Sequence, residues 1–407
     1  MTSPSIGMVL KTIVLREWMP AAVLLDTDDA AYISRQLGKR LTLERALVGP
    51  GYVLNCNQFV GVVTLPSGRR IECRPKVPIG TLFTMLAVAY DLDVPLGDDA
   101  TRLGSVDNLL AFIVRHFIDL VDARLNAGFF RDYVEQEDNL LAVRGRIVTG
   151  EDVRRNAILR HRTWCRYTEF THDVPDNQII RQVVHLLTGW PLPPALLVRL
   201  RSLDAMMGNI TPTRFGADIF GRFRYDRLRD GYQPIHRYCH LFLDGLSLEA
   251  LGGAIDFRTF LIDMNALFES FVARSIGTRL PRGTTLRTQF GQHLDEGHHV
   301  GMSIDLLLWR DGRPVLVADT KYKAPAKGQS PADVYQMLAY CTATAVPTAV
   351  LIYPRDATGQ QPPPIAVRNV AVRILSRTVD LSLVGNALGR EMDRFTEDLL
   401  ALTIPAG

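Results

Sequence analysis

The sequence predicts a mixed α/β protein, α+β overall. Residues 1–80 form a β-rich N-terminal domain, 81–250 a helical and arginine-rich middle, and 251–407 a C-terminal domain with a mixed sheet flanked by helices. Three observations carry that expectation. Short β-branched runs broken by turn residues fill the chain up to Pro78, and two long stretches then carry apolar residues at helical spacing. The C-terminal part orders a helix, paired apolar strands, a helix and a strand, the order of an α/β unit.

Taken in order, KTIVLREW, YVLNCNQFVGVVTL, the turn Pro66-Ser67-Gly68 and RRIECRPKV read as N-terminal strands and their connection. TLFTMLAVAYDL and SVDNLLAFIVRHFIDLVDARLNAG read as helices, the second opened by Ser105 and closed near Gly128. Their Leu and Phe faces are core positions. Residues 129–250 mix strands, arginine-rich segments and helices, with a bend at Pro191, Pro193 and Pro194. From Ile255 a helix through FLIDMNALFESFVARSIGTRL leads into hairpins around TTLRTQFGQHL, GMSIDLLLW and PVLVADTKYK. A helix from Pro331 and the strand TAVLIYP follow.

At 407 residues the chain can bury two or three cores, so size is no obstacle to an enzyme. With 47% hydrophobic and 22% charged residues it falls near globular averages, which argues against disorder. The apolar stretch from Leu82 stops at Asp91, short of the roughly 20 residues that span a bilayer, so no membrane association is expected. The N-terminus shows no basic region, apolar block and small-residue cleavage site, and a cytoplasmic location is the expectation. Five scattered cysteines without a CxxC pair suggest neither a disulfide framework nor a cysteine-rich zinc site. A net charge of +3 says little by itself, but arginines cluster at 144, 146, 154, 155, 160, 162 and 166, and again at 214, 222, 224, 227 and 229. Either group could track phosphates; the competing account is a solvated surface balanced by Glu151, Asp152, Asp226 and Asp230.

The candidate chemistry lies in two apolar strands. Asp305 sits inside GMSIDLLLW, and Asp319 interrupts VLVADTKYK two residues before Lys321. A carboxylate buried in such a strand needs a partner or a metal, and two close together suggest a cation. Residues two apart on a strand face one side, which brings Asp319 and Lys321 together at about 6.5 Å of rise. A two-residue Asp311-Gly312 turn would set Asp305 opposite Ala318, on the wrong face for joint metal binding. A three-residue loop from Arg310 to Gly312, with Gly312 left-handed in a bulge, sets it opposite Val317 and is the expected register. Asp305, Asp319 and the carbonyl of Thr320 would then offer hard oxygen ligands to Mg²⁺, with Lys321 orienting water or stabilising a phosphate transition state. The alternative is a buried Asp-Lys pair beside an unrelated surface Asp305.

Asn265, Phe268 and Glu269 lie on the preceding helix, from which Glu269 could add a metal or water-mediated contact, or be a plain surface acid. Gln336 and Tyr340, four apart on the next helix, could hold a DNA phosphate or base, or be ordinary helix surface. Other chemistries fare worse. The chain has no GxxxxGK[ST] phosphate loop and no GxSxG elbow, and His236/Cys239/His240 and His293/His298/His299 lack zinc spacing.

Asp305 with Asp319-Thr320-Lys321, preceded by a helical Glu and followed by Gln-x-x-x-Tyr, resembles the PD-(D/E)xK nuclease superfamily. Ile304 stands where a proline gives that motif its name, a position that supplies no ligand. More widely, FVGVVTLPSGRRIECRPKV, FFRDYVEQEDNLLAVRGRI, RHRTWCRYTEFTHDVPDN, MNALFESFV, SIDLLLW and VADTKYK resemble the McrC family, the nuclease subunits of McrBC-type modified-cytosine restriction systems. The resemblance implies an Mg²⁺-dependent endonuclease that cuts double-stranded DNA containing modified cytosine. It also implies docking, through the N-terminal domain and arginine-rich middle, on a GTP-hydrolysing AAA+ McrB-like partner whose GTPase it stimulates. A non-catalytic AAA+ adaptor that only contacts DNA, and a stand-alone repair nuclease of the same superfamily, are the competing functions.

Overall fold

The computed structural model describes residues 12–94, 104–158, 161–245, 259–323, 329–356 and 359–403. Lys11, Arg160 and residues 255–258, to which the sequence assigned a strand start, a cluster arginine and a helix start, lie outside them. The described residues divide into two compact units, 12–94 with 104–110 and 259–403 in one and 111–245 in the other. The N-terminal strands and the C-terminal sheet therefore share a unit, although the sequence placed boundaries between them at 80 and 250.

The first unit opens with β1 (Ile13–Arg16), β2 (Ala21–Val23), α1 (Thr27–Gln36), β3 (Thr42–Arg45), β4 (Tyr52–Asn55), β5 (Phe59–Thr64), β6 (Arg70–Arg74) and α2 (Ile79–Ala89). The sequence reading passed over α1, whose start is set by Asp26 accepting the Asp29 N–H at 2.7 Å. Next comes α3 (Val106–Ala127), capped by Ser105 through the Asn108 N–H and followed by left-handed Gly128, as its sequence suggested. The second unit holds β7 (Asp132–Leu140), β8 (Arg146–Ile147), α4 (Thr149–Asn156), β9 (Thr163–Thr171), α5 (Pro175–Thr188), α6 (Pro194–Met206) and α7 (Gln233–Gly245). The first unit resumes with β10 (Thr259–Asp263), α8 (Met264–Gly277), β11 (Thr284–His293), β12 (Gly301–Arg310), β13 (Arg313–Thr320), α9 (Pro331–Thr344), β14 (Thr348–Pro354), β15 (Ile365–Ala366), β16 (Arg373–Val379) and α10 (Asn386–Ala401).

The join between the two halves of the first unit is β10. The sequence merged FLID into a helix, but Phe260, Leu261 and Ile262 are buried as a strand that pairs antiparallel with β5 and completes the sheet β1-β6-β5-β10. Asp263 then caps the helix, accepting the Asn265 N–H at 2.8 Å, so α8 starts only at Met264. A second small sheet runs β2-β4-β3, and the large mixed sheet runs β11-β12-β13-β14-β16-β15, with β13, β14 and β16 parallel. Both α8 and α9 pack on β13. Val317, Leu307, Ala349 and Leu351 form an apolar cluster with Met337, Tyr340 and Cys341 of α9.

In the second unit β9 is flanked by β7 and β8, and several of the clustered arginines are answered by acids. Arg154 and Arg155 pair with Glu151, Arg166 with Glu135 and Glu137, and Arg229 with Asp132, Asp176 and Asp226. Asp152 caps the Trp164 N–H instead. His236 is buried, with Nε2 on the Asp176 carbonyl at 2.9 Å and Nδ1 on the Tyr225 hydroxyl at 3.0 Å. A carbonyl can only accept, so Nε2 carries the proton and the ring is neutral, in keeping with burial that lowers it to about 4. No helix among the described residues is long and apolar enough to cross a membrane.

One long-range contact fixes the N-terminal sheet to the chain just beyond Lys321. Glu17, after β1 and only 4% exposed, accepts the Lys76 N–H at 2.7 Å and the Tyr322 hydroxyl at 3.2 Å on Oε2, while Oε1 has no partner. Lys76 Nζ donates to the Tyr322 carbonyl at 2.9 Å and lies 3.8 Å from the ring centroid. Burial raises Glu17 to about 7, outweighing the Lys76 hydrogen bond and charge. A carboxyl raised in the native state contributes stability that is complete below its unfolded value and is lost as pH rises through about 7. Wild type is therefore expected to lose more thermal stability between about pH 5 and about pH 8 than Glu17→Gln. Parallel Tm profiles for the two proteins in that range would contradict the buried, protonated carboxyl.

Candidate active site

The site is built by the β12–β13 hairpin. Asp311 and Gly312 both have positive φ, 50° and 77°, the pair of left-handed residues that a tight two-residue hairpin turn requires. Arg310 faces Arg313 and Trp309 faces Pro314, but Leu308 faces Leu316, so one extra residue is accommodated in β13 next to Pro314. The expected three-residue loop is thus corrected to a two-residue turn plus an internal bulge at Pro314-Val315. Proline cannot donate to the ladder and favours such a break. Beyond the bulge Leu306 faces Ala318, and one step further Asp305 faces Asp319 rather than Val317. The two carboxylates share a sheet face, by a different route from the one expected.

Asp319 is 1% exposed. Its Oδ2 lies 2.8 Å from Lys321 Nζ, a charge-assisted contact, and no backbone or amide N–H is directed at either oxygen. Burial first, and the Asp305 charge second, raise its carboxyl to about 7 against the pull of Lys321. Half-buried Asp305 accepts the Thr320 N–H on Oδ2 at 3.3 Å and the Gln289 amide on Oδ1 at 3.4 Å. The Lys321 N–H donates across to Ile352 of β14, so the backbone groups of Thr320 point the other way, toward β12 and Asp305. Burial pulls Lys321 down, but Asp319, Asp333 and Asp305 outweigh it and raise the ammonium overall. Its Nζ donates to Gln336 Oε1 at 3.1 Å and is 3.8 Å from Asp333 Oδ1.

Gln336 donates to the Tyr340 hydroxyl at 2.7 Å, and that hydroxyl donates to the Ser303 carbonyl at 2.5 Å. Both helix residues are thus part of the cluster, Tyr340 as a buried tie between α9 and β12 and Gln336 as an orienting partner of Lys321. Glu269 on α8 joins by way of Gln289, whose amide it accepts; burial raises Glu269 and the Asp305 charge adds to this. Asn265 is exposed, and Phe268 is core, its ring 5.7 Å from that of Tyr322. Nothing in residue type or spacing marks Gln289, Ser303 and Asp333, which look like ordinary strand and helix polars, or Glu17.

The residues fit a small hard cation. The buried Asp319 carboxylate has Lys321 as its one cationic neighbour and no backbone or amide donor, Asp305 stands opposite, and the backbone of Thr320 is turned toward the same edge. Among the described residues no three His, Cys, Asp or Glu side chains converge at metal-ligand spacing.

A family model described as McrBC 5-methylcytosine restriction system component matches residues 54–354, well over half of the chain, from β4 to the end of β14. Among solved structures, a chain of the refined half-complex from a tetradecameric assembly of Thermococcus gammatolerans McrB AAA+ hexamers with bound McrC is similar at TM-score 0.59 and 17% identity. The match covers 96% of this chain and 100% of that one, which is a likeness of fold. A chain of the Thermococcus gammatolerans McrBC complex, solved by cryo-EM, matches at TM-score 0.43 and 19% identity over 67% of this chain and 89% of its own, too little to argue from. A search of curated proteins finds no match.

Removing the Tyr340 hydroxyl leaves the Ser303 carbonyl and the Gln336 amide each short of a partner. Tyr340→Phe is expected to destabilise the fold by about 1–3 kcal/mol in urea denaturation. Unchanged stability would mean that the hydroxyl does not tie α9 to β12.

Proposed function

Because the chain belongs to the McrBC 5-methylcytosine restriction system component family, we propose that it is the DNA endonuclease subunit of a modified-cytosine-dependent restriction system. The observation that carries this reading is the buried, hydrogen-bond-poor Asp319 carboxylate facing Asp305 beside Lys321. Asp305, Asp319 and the Thr320 carbonyl are the groups that would hold Mg²⁺, with Glu269 beside them. The bound ion supplies neutralisation of the phosphate charge and a more acidic water.

The remaining chemistry belongs to the protein. Lys321, held by Gln336 on one side and Asp319 on the other, presents an ammonium that orients the attacking water and stabilises charge on the phosphate. Asp305, fixed through both oxygens by Thr320 and Gln289, cannot swing away from Asp319. Gln336, half-buried at the border of the site, is the contact proposed for a DNA phosphate or base, whereas Tyr340, buried and with its hydroxyl spent on Ser303, supports it from within the fold instead of meeting DNA as its sequence suggested.

The chain carries no phosphate loop, so nucleotide hydrolysis falls to a partner. The similar solved assembly contains McrB AAA+ hexamers with bound McrC. By the same reading this chain docks on an McrB-like GTPase, stimulates it, and leaves recognition of the modified cytosine to it. The docking elements proposed are the N-terminal sheets and the β7–β9 ribbon, where Leu141, Val143 and Ile158 are exposed.

The test is cleavage of methylated and unmethylated plasmid with Mg²⁺, GTP and the partner. Asp305→Ala, Asp319→Ala and Lys321→Ala are each expected to lose about 100-fold or more in cleavage rate, while stimulation of the partner GTPase persists. Full cleavage by all three variants removes the site. Intact DNA with wild type and every component present points to an adaptor, and cutting without the partner points to a stand-alone repair nuclease.

A further inference from the structure

Strand β11 pairs with β12 in one register on both sides of Gln289, Thr288 with Leu306 and Phe290 with Ile304, yet Gln289 itself stands out of the ladder across from Asp305. Its φ is 46°, in the left-handed region, where a side chain with a Cβ is strained by about 1–2 kcal/mol. Neither a turn nor a core explains this. The residue lies in mid-strand and its side chain is exposed, so no apolar burial offsets the strain.

What the conformation secures is a set of polar contacts that meet nowhere else. The Gln289 amide nitrogen donates both to Glu269 Oε1 and to Asp305 Oδ1, and its carbonyl oxygen accepts the Ser303 hydroxyl at 2.7 Å. Only a carboxamide matches that pattern. The two N–H groups serve two carboxylates that otherwise repel, and the oxygen serves a hydroxyl donor. A glutamate would add a third negative charge, and an aliphatic side chain would leave both acids without this donor. With Thr320 N–H on the other oxygen, Asp305 is held at both ends and keeps a free lone pair on each for a cation.

Resting on the nuclease reading above, we infer that Gln289 is a positioning residue. It joins Glu269 of α8 to Asp305 of β12 and sets the two carboxylates for binding of the divalent cation, without touching Asp319 or Lys321. Outer hydrogen bonds of this kind commonly change metal affinity by about 10–100-fold.

Gln289→Gly separates the side chain from the backbone, because glycine adopts a positive φ without strain. Gln289→Leu keeps the bulk and removes the hydrogen bonds. Two readouts are taken on each: the Mg²⁺ concentration giving half-maximal cleavage with the partner present, and the rise in Tm of the chain alone on titration with Mg²⁺. Both variants are expected to need about 10-fold or more Mg²⁺ in both measurements, with cleavage largely recovered at saturating Mg²⁺ and with the metal-free Tm of Gln289→Gly at or above wild type. Unchanged Mg²⁺ requirements in variants that fold as wild type, while Asp319→Ala abolishes cleavage, overturn the role of Gln289 alone. Cleavage that survives Asp319→Ala overturns the site and this inference with it.

Discussion

A carboxylate shut away from water in the middle of a sheet sets the terms for the C-terminal half of this protein. Desolvating such a group without adequate compensation costs several kcal/mol, and Asp319 has one ammonium against Oδ2 and no backbone or amide donor. The folded chain responds by raising the carboxyl toward its protonated form and by setting Lys321 against it, the ammonium in turn held by Gln336 and near Asp333. Asp305 makes matters worse electrostatically, because a second acid across the strand raises Asp319 further. A buried acid with a second carboxylate across from it, beside an ammonium, is an arrangement that a divalent cation relieves.

The fold serves this arrangement in layers. The parallel pair β13 and β14 buries Asp319 between strands, and the bulge at Pro314-Val315 turns Asp305 to the same face. Tyr340 fixes α9 against β12, and α9 in turn presents Gln336 to Lys321. At the far side of Lys321 the chain is gripped at Tyr322 by Glu17 and Lys76 from the N-terminal sheet. That sheet is itself completed by β10, the strand that leads into the helix carrying Glu269. The segment bearing the lysine is thus held by residues from both ends of the sequence.

Much of the site was legible from residue type and spacing. A charge inside an apolar strand is conspicuous, and the alternation of strand side chains alone pairs Asp319 with Lys321. The four-residue spacing of Gln336 and Tyr340 placed them together on α9. The partnership with Asp305 was anticipated through the wrong hairpin geometry, because a bulge within a strand leaves little trace apart from Pro314. Gln289 was illegible, since its left-handed φ comes from contacts with Glu269, Asp305 and Ser303 and not from a glycine. Glu17 is a charge at a strand end in the sequence, and its partners Lys76 and Tyr322 are distant from it along the chain. The strand β10 was hidden because its apolar run continues without a turn residue into α8, where only the cap by Asp263 marks the change.

The most direct test of the paired carboxylates as a cation site is anomalous diffraction from crystals of the chain grown with Mn²⁺ in place of Mg²⁺. The expected result is a single strong peak within about 2–2.5 Å of carboxylate oxygens from both Asp305 and Asp319. A well-ordered site without such a peak, or with manganese bound only elsewhere on the chain, would contradict the account.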